Sequence, residues 1–339
     1  MISTLSNLAD RNFVLGFLLP VIIASLLACA VFADVPEVEA IWMQITNADS
    51  LEKLVVVVIG LWTAAVLLFV LNRFIQRLMQ GYWGPFKWIG LFLRRQQEAY
   101  DKAACHRDNL ERKFRAGDRA AFGAYQSAKM DFCSRFPAKR SRVQPTKFGN
   151  VMRAAESYSR EVYGVDAIGG WPRLAGVIPE AFQTKIDNAH AEIDFFLNNC
   201  VLFFLLGIAC LCAIAWNAAP SSLNLDPIDT PTWFFLGVGL VAPVVAFWCY
   251  RLALLLAPNW GDLLRSASDL YLPDLVKQMG YELPATKEER AAFFEALNKT
   301  FYTNEPIDPR FWASKAAPPE PPGKDASQIL LMGIDLSEE

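Results

Sequence analysis

The side chains in this chain that could do chemistry are few and scattered. Of its 339 residues two are histidines, His106 and His190, and seven are cysteines. Cys29, Cys200, Cys210, Cys212 and Cys249 lie in or beside apolar blocks, whereas Cys105 and Cys133 lie in a charged region. No CxxC pair and no Cys/His group at metal-ligand spacing occurs, so the expectation is small buried side chains and two free thiols, with no metal site. A serine nucleophile elbow, HExxH, a Walker loop and a kinase signature are all missing, so no catalytic residue and no cofactor site is expected. The chain reads as a non-enzyme. Gly169-Gly170-Trp171-Pro172 brings two glycines together, but no GxGxxG or GxxxxGK[ST] pattern accompanies them. A tight turn supporting a packed tryptophan is the expectation there. Among charged residues, Asp194 and Arg251 sit near the ends of apolar blocks and read as anchors at the membrane interface. Asn198 and Asn199 follow Asp194 in the first turns of its block.

The elements that must hold these residues are long and apolar. Hydrophobic residues make up 53% of the chain and charged residues only 20%, against about 25% charged in an ordinary soluble domain. Those apolar residues gather in four blocks, which predicts an all-α integral membrane protein with four transmembrane helices. The clearest block runs from Leu54 to Leu71, eighteen residues without a charge, close to the length a bilayer core requires. Before it, 34–52 holds five carboxylates and no Lys or Arg; after it come Arg73, Arg77, Lys87, Arg94 and Arg95. By the positive-inside bias this span runs from outside to inside.

The remaining spans follow. Block 13–33 is longer than a signal-peptide core and reads as a retained helix despite small-residue sites at Ala28-Cys29-Ala30 and Val31-Phe32-Ala33. Blocks 193–216 and 233–256 flank a loop, 217–232, without a basic residue. The predicted order is therefore 1–12 cytoplasmic, 13–33 first span, 34–53 outside, 54–72 second span, 73–93 interfacial, and 94–192 a cytoplasmic helical domain. Then come 193–216 third span, 217–232 outside, 233–256 fourth span, 257–315 a cytoplasmic helical tail, and 316–339 a Pro-rich end expected to be disordered. In the interfacial piece Trp83 and Trp88 are the aromatic anchors. Small residues that allow close helix packing or pore lining are Gly60, Ala64, Gly237 and Gly239, with Pro243 as a kink.

Within the cytoplasmic pieces a helix over about 150–163 is expected to stop at Gly164, and a break is expected near Gly117. Thr286 and Glu289 form a capping box, and Pro273 is expected to break or kink the helix that begins near Trp260. Residues 94–142 carry 13 Lys/Arg against 6 Asp/Glu, and the tail from Pro258 carries 8 against 14. This complementarity predicts that the two pieces pack together or against a neighbouring subunit. The basic stretch fits an inner-leaflet surface better than nucleic acid.

GNVMRAAESYSREVYGVDAIGGWPRL and WGDLLRSASDLYLPDLVKQMGYELP resemble stretches of uncharacterised bacterial multi-pass membrane proteins. The resemblance implies a bacterial inner membrane and brings no activity. The layout of two spans, a helical cytoplasmic segment, two more spans and a cytoplasmic tail is similar to that of bestrophin channels. The functional expectation is an oligomeric pore or ion channel, its chain surrounded by the lipid bilayer and by copies of itself. The alternative is a membrane-anchored scaffold or signalling subunit that binds a cytoplasmic protein.

Overall fold

The structure is a computed structural model and describes residues 11–35, 38–40, 43, 50–83, 90–218, 230–303, 305 and 307. Trp88 and the Pro-rich end lie outside them. Among the described residues the regular structure is helical throughout. The helices are α1 (Arg11–Val31), α2 (Ser50–Met79), α3 (Gly90–Arg115), α4 (Ala121–Arg135), α5 (Lys147–Val162), α6 (Ala167–Ala175), α7 (Glu180–Asn217), α8 (Thr232–Gln278) and α9 (Lys287–Thr303). Four of them, α1, α2, α7 and α8, are long and apolar enough to cross a membrane. The chain divides into two compact units. One holds Met1–Ser157 with Pro179–Leu264; the other holds Tyr158–Ile178 with the residues from Arg265 onward.

Sequence sets an unusual start to α1. Val14–Leu18 takes a π-helical turn, and Pro20 follows at the opening of the regular helix Leu19–Val31. Proline has no N–H, so in the α pattern it leaves the carbonyl of Gly16 without its donor four residues on. That oxygen is used elsewhere, as described below. Against α1, the second span contributes Ala65 and Leu68, buried with Phe13, Phe17 and Val21. Phe69 meets the Phe17 ring edge-on at 5.2 Å. The third and fourth spans approach through small residues. A Cβ added at Gly207 would lie 3.2 Å from the Pro243 ring, and one at Gly239 would lie 3.5 Å from Cys210 Cβ. At the far end of the bundle Thr230 donates to Asp34 at 2.8 Å.

Helices α3 and α4 form a hairpin that turns at Gly117, whose φ of +98° favours glycine. Tyr100 stacks edge-on against Phe132 and Phe136 at 5.1 and 5.6 Å and donates to the Ala138 carbonyl. Arg140 grips Asp101 through two bonds of 2.8 and 2.9 Å. The basic stretch thus places several of its cations on its own carboxylates: Arg107 on Asp108, Arg115 on Glu111 and Arg135 on Asp131.

The corner before α5 closes the end of α2. Thr146 Oγ1 donates to the Met79 carbonyl at 2.8 Å and accepts from Gly149 N–H at 3.0 Å. Gly81, at φ +84°, passes the Pro145 ring so closely that a Cβ would lie 2.6 Å from Pro145 Cγ. Asn150 is 1% exposed and fully used: its Nδ2 donates to Gln144 O, Thr146 O and Gln96 Oε1, and its Oδ1 accepts from Gln144 N–H.

One expectation from local sequence gives way to tertiary packing. The Gly169–Pro172 stretch lies inside α6, with Pro172 in the helix. Its glycines serve ring contact instead of a turn, since a Cβ at Gly169 would lie 3.0 Å from the Tyr302 ring. Helix α8 runs on through Pro243, Pro258 and Pro273, so Pro273 does not end it. Each proline removes one helical bond, and buried Ala253, Ala257, Ala267, Leu272 and Val276 along the helix dock the ladder between them. Other local signals hold: α5 ends before Gly164 at φ +84°, and Glu289 N–H donates to Thr286 Oγ1 at 3.3 Å to open α9. Thr286→Ala is therefore expected to cost about 1 kcal/mol, visible as a lower thermal midpoint of the second unit.

Inside that unit Asp269 accepts from Tyr163 at 2.7 Å and from Tyr158 at 2.9 Å. Asp166 accepts from Tyr302 at 2.6 Å and from Arg160 at 3.0 Å, and Asn298 joins its N–H to the Gly164 carbonyl. Loss of hydration, and then the bond to Asp269, push the Tyr163 phenol from 10.0 to about 12. A raised acid pKa keeps the proton in the folded form. Its stabilising share is present below pH 10.0 and is lost as pH rises through about 12. In a tyrosinate absorbance titration, Tyr163→Phe should remove the latest-titrating phenol; an unchanged curve would contradict the assignment.

Candidate functional site: a buried polar cluster among α1, α2 and α7

The inward faces of α2 and α7 carry polar residues at helical spacing. Asn72 and Gln76 are four apart on α2; His190, Asp194 and Asn198 are four apart on α7. Each set therefore shares one face of its helix. The helices run antiparallel, because Gln76 meets His190 and Asp194 whereas Leu202 packs on the Ala65 and Leu68 cluster. Asn72 and Asn198 consequently both lie between those levels. On α1, Gly16 stands against Asp194, with its missing Cβ 3.5 Å from Asp194 Cβ. Asn12 is one turn from Gly16.

Asp194 is 3% exposed. Its Oδ1 accepts from Gln76 Nε2 at 2.8 Å, and its Oδ2 lies 3.2 Å from His190 Nδ1. The same Gln76 nitrogen is 3.2 Å from His190 Nε2. An amide nitrogen only donates, so the network assigns His190 Nε2 as an acceptor and puts the proton on Nδ1, where it donates to Asp194. The imidazole thus bridges Gln76 and Asp194. Among the described residues His190 is the ion-pair partner of Asp194, and no lysine or arginine pairs with it. Trp260 covers the imidazole at 5.6 Å between ring centres.

The helices around this carboxylate also hold oxygens in want of a partner. Asn198 is fully buried; its Nδ2 donates at 2.8 Å to the Gly16 carbonyl that Pro20 leaves free, and its Oδ1 has no partner. The buried Oδ1 atoms of Asn12 and Asn72 have none either. Unsatisfied buried acceptors are costly and uncommon. All three belong to α1, α2 and α7, the helices that enclose Asp194. By contrast Asn199 bonds the Phe195 carbonyl within its own helix.

The other residues singled out by sequence fall in several places. Gly239 and Pro243 lie at the α7–α8 contact through Gly207 and Cys210. Gly60 and Gly237 have no atom within 4 Å of an added Cβ, and Ala64 is exposed, so these three face away from the chain's own bundle. Trp83 is 62% exposed and lies 6.2 Å from the Phe74 ring. Arg251 opens on a cleft of about 440 Å³ beside the α3–α4 hairpin. Asp194 is enclosed by helices, not displayed at the surface as an anchor would be. Local sequence marks Asp194 and Asn198 singly and misses the face they share with His190. It passes over Asn12, Asn72 and Gln76 as well, although the four-residue spacing on α2 and α7 is plain once the two faces are paired. All seven cysteines are free, and among the described residues no three His, Cys, Asp or Glu gather as a metal site. Neither protein-family models, nor curated proteins, nor solved structures give a match to this chain, so the cluster's meaning rests on its own geometry.

Proposed function

We propose that this chain is a multi-pass protein of a bacterial inner membrane, with both termini cytoplasmic, that assembles with copies of itself into a pathway for monovalent cations. The observation that carries the reading is the Asp194 carboxylate, buried with His190 and with unpartnered amide oxygens on the helices around it, at one end of the bundle. Ionisable groups held inside membrane bundles characteristically serve ions or protons. One carboxylate with neutral oxygens favours a singly charged ion over a divalent one. The basic residues after α2 support a cytoplasmic position for this end.

Assembly is supported by α2. Only 11% of its apolar window is buried within the chain, against 28%, 22% and 22% for α1, α7 and α8. Gly60 and Ala64 on its open side allow another helix to approach closely. Four spans are too few to surround a wide pore, so several copies are required. Purified protein in liposomes should conduct Na⁺ or K⁺ and run as a ring-shaped oligomer in detergent. A monodisperse monomer without flux would sink the reading. The second reading, a scaffold for a cytoplasmic protein, is favoured by α4, where Phe122 and Met130 stand 46% and 71% exposed. A stoichiometric soluble protein that co-purifies with the wild type but is lost with Phe122→Ser/Met130→Ser would support it.

A further inference from the structure

The 440 Å³ cleft is walled by α3, α4, the start of α5 and the middle of α8. Arg135, Lys147 and Arg251 line it, against the single carboxylate of Asp131. Asp131 already accepts from Arg135 at 2.8 Å. The surplus is therefore two positive charges, on Lys147 and Arg251, both exposed. Leu254, Leu255, Pro258 and Val151 make the rest of the wall largely apolar.

Arg251 also belongs to a stripe. Val244, Trp248, Arg251 and Leu255 follow a 4-3-4 spacing and share one face of α8. The three apolar members are 55%, 61% and 69% exposed. On a helix apolar enough to cross a membrane, that face leads from the hydrocarbon region straight to the cations. A soluble anion would use only the charges; a lipid would use both the charges and the stripe.

We propose that this cleft is a binding site for an anionic phospholipid. Its phosphodiester lies between Lys147 and Arg251, and one acyl chain follows Leu255, Trp248 and Val244. A zwitterionic lipid is disfavoured, because its ammonium group meets the surplus positive charge. The site makes no use of Asp194 and does not depend on ion conduction.

The test uses the full chain in nanodiscs of phosphatidylcholine, with or without phosphatidylglycerol, read by thermal midpoint and by native mass spectrometry of retained lipid. Phosphatidylglycerol should raise the midpoint of the wild type, and Lys147→Gln/Arg251→Gln should cancel the rise and weaken retention on the order of tenfold or more. Trp248→Ala, which leaves both cations in place, should lessen retention as well. Equal midpoints in the two lipids, or a double variant with the full response, would overturn the proposal. So would an equal rise produced by inorganic phosphate in phosphatidylcholine discs, which would make the occupant a free anion. Should the double variant not fold, short-chain phosphatidylglycerol added to wild-type protein in detergent decides the matter: the proposal requires a rise that short-chain phosphatidylcholine does not give.

Discussion

Gly149→Ala is expected to be among the most damaging single substitutions in this chain, costing about 3 kcal/mol or more of stability. The reason lies in how α5 meets the end of α2. A Cβ at position 149 would collide with the backbone carbonyl of Gln80, and would lie 2.9 Å from both the Gln80 carbonyl carbon and Thr146 Oγ1. Backbone atoms cannot rotate aside as a side-chain tip can. The collision would have to be relieved by moving the corner that holds Thr146 on Met79 and Pro145 on Gly81. Phe148, Val151 and Met152, next to it on α5, are buried against α7 and α8, so that shift would also open the core. Alanine's better helix propensity returns only about 1 kcal/mol. Gly123→Ala is the matched control, because Gly123 lies in α4 with no atom within 4 Å of an added Cβ. It should be neutral or slightly stabilising. Thermal melting of both variants in the same detergent separates the cases, and a Gly149→Ala midpoint equal to that of the wild type would refute the account.

The contrast between these two glycines shows what sequence could reveal. Membrane spans are written in composition, and all four apolar blocks appear as helices in the structure. Signals confined to a few neighbouring residues also carry through: the Thr286 cap, the stop at Gly164 and the turn at Gly117. Nothing local distinguishes Gly149 from Gly123, because the difference is a carbonyl that belongs to another part of the chain. The same holds for the glycines of α6, where packing partners outweigh local preference. The polar cluster is half legible. Its four-residue spacing is visible on α2 and α7, but Gln76 and Asp194 are 118 positions apart, and only the antiparallel packing brings them together. Pro20 is subtler still. Its missing N–H matters because Asn198, on a different span, takes the carbonyl it frees.

Asp194→Asn tests whether the cluster's charge is used, and the largest functional effect is expected there. The substitution keeps the shape of the side chain. The oxygen of the new amide can still accept from Gln76, while its nitrogen faces His190 Nδ1 and forces the imidazole into the other tautomer. The Nε2 proton of that tautomer then points at the donor nitrogen of Gln76, so one hydrogen bond is lost at a cost of about 1 kcal/mol. The protein should stay folded, with a midpoint a few degrees lower. Its negative charge is gone, however, and a monovalent cation entering the bundle would meet only neutral oxygens. Flux in liposomes should fall at least tenfold, a change of about 1.4 kcal/mol in the barrier at the site. Asp194→Ala should do more structural harm, because Gln76 and His190 then lose their shared acceptor; about 2 to 3 kcal/mol is expected. The pair of variants separates the roles. Lost flux with near-normal stability in the asparagine variant assigns the carboxylate to the ion's path. Unchanged flux in a well-folded Asp194→Asn protein would make the cluster a clamp between helices and remove the main support for conduction through this end of the bundle.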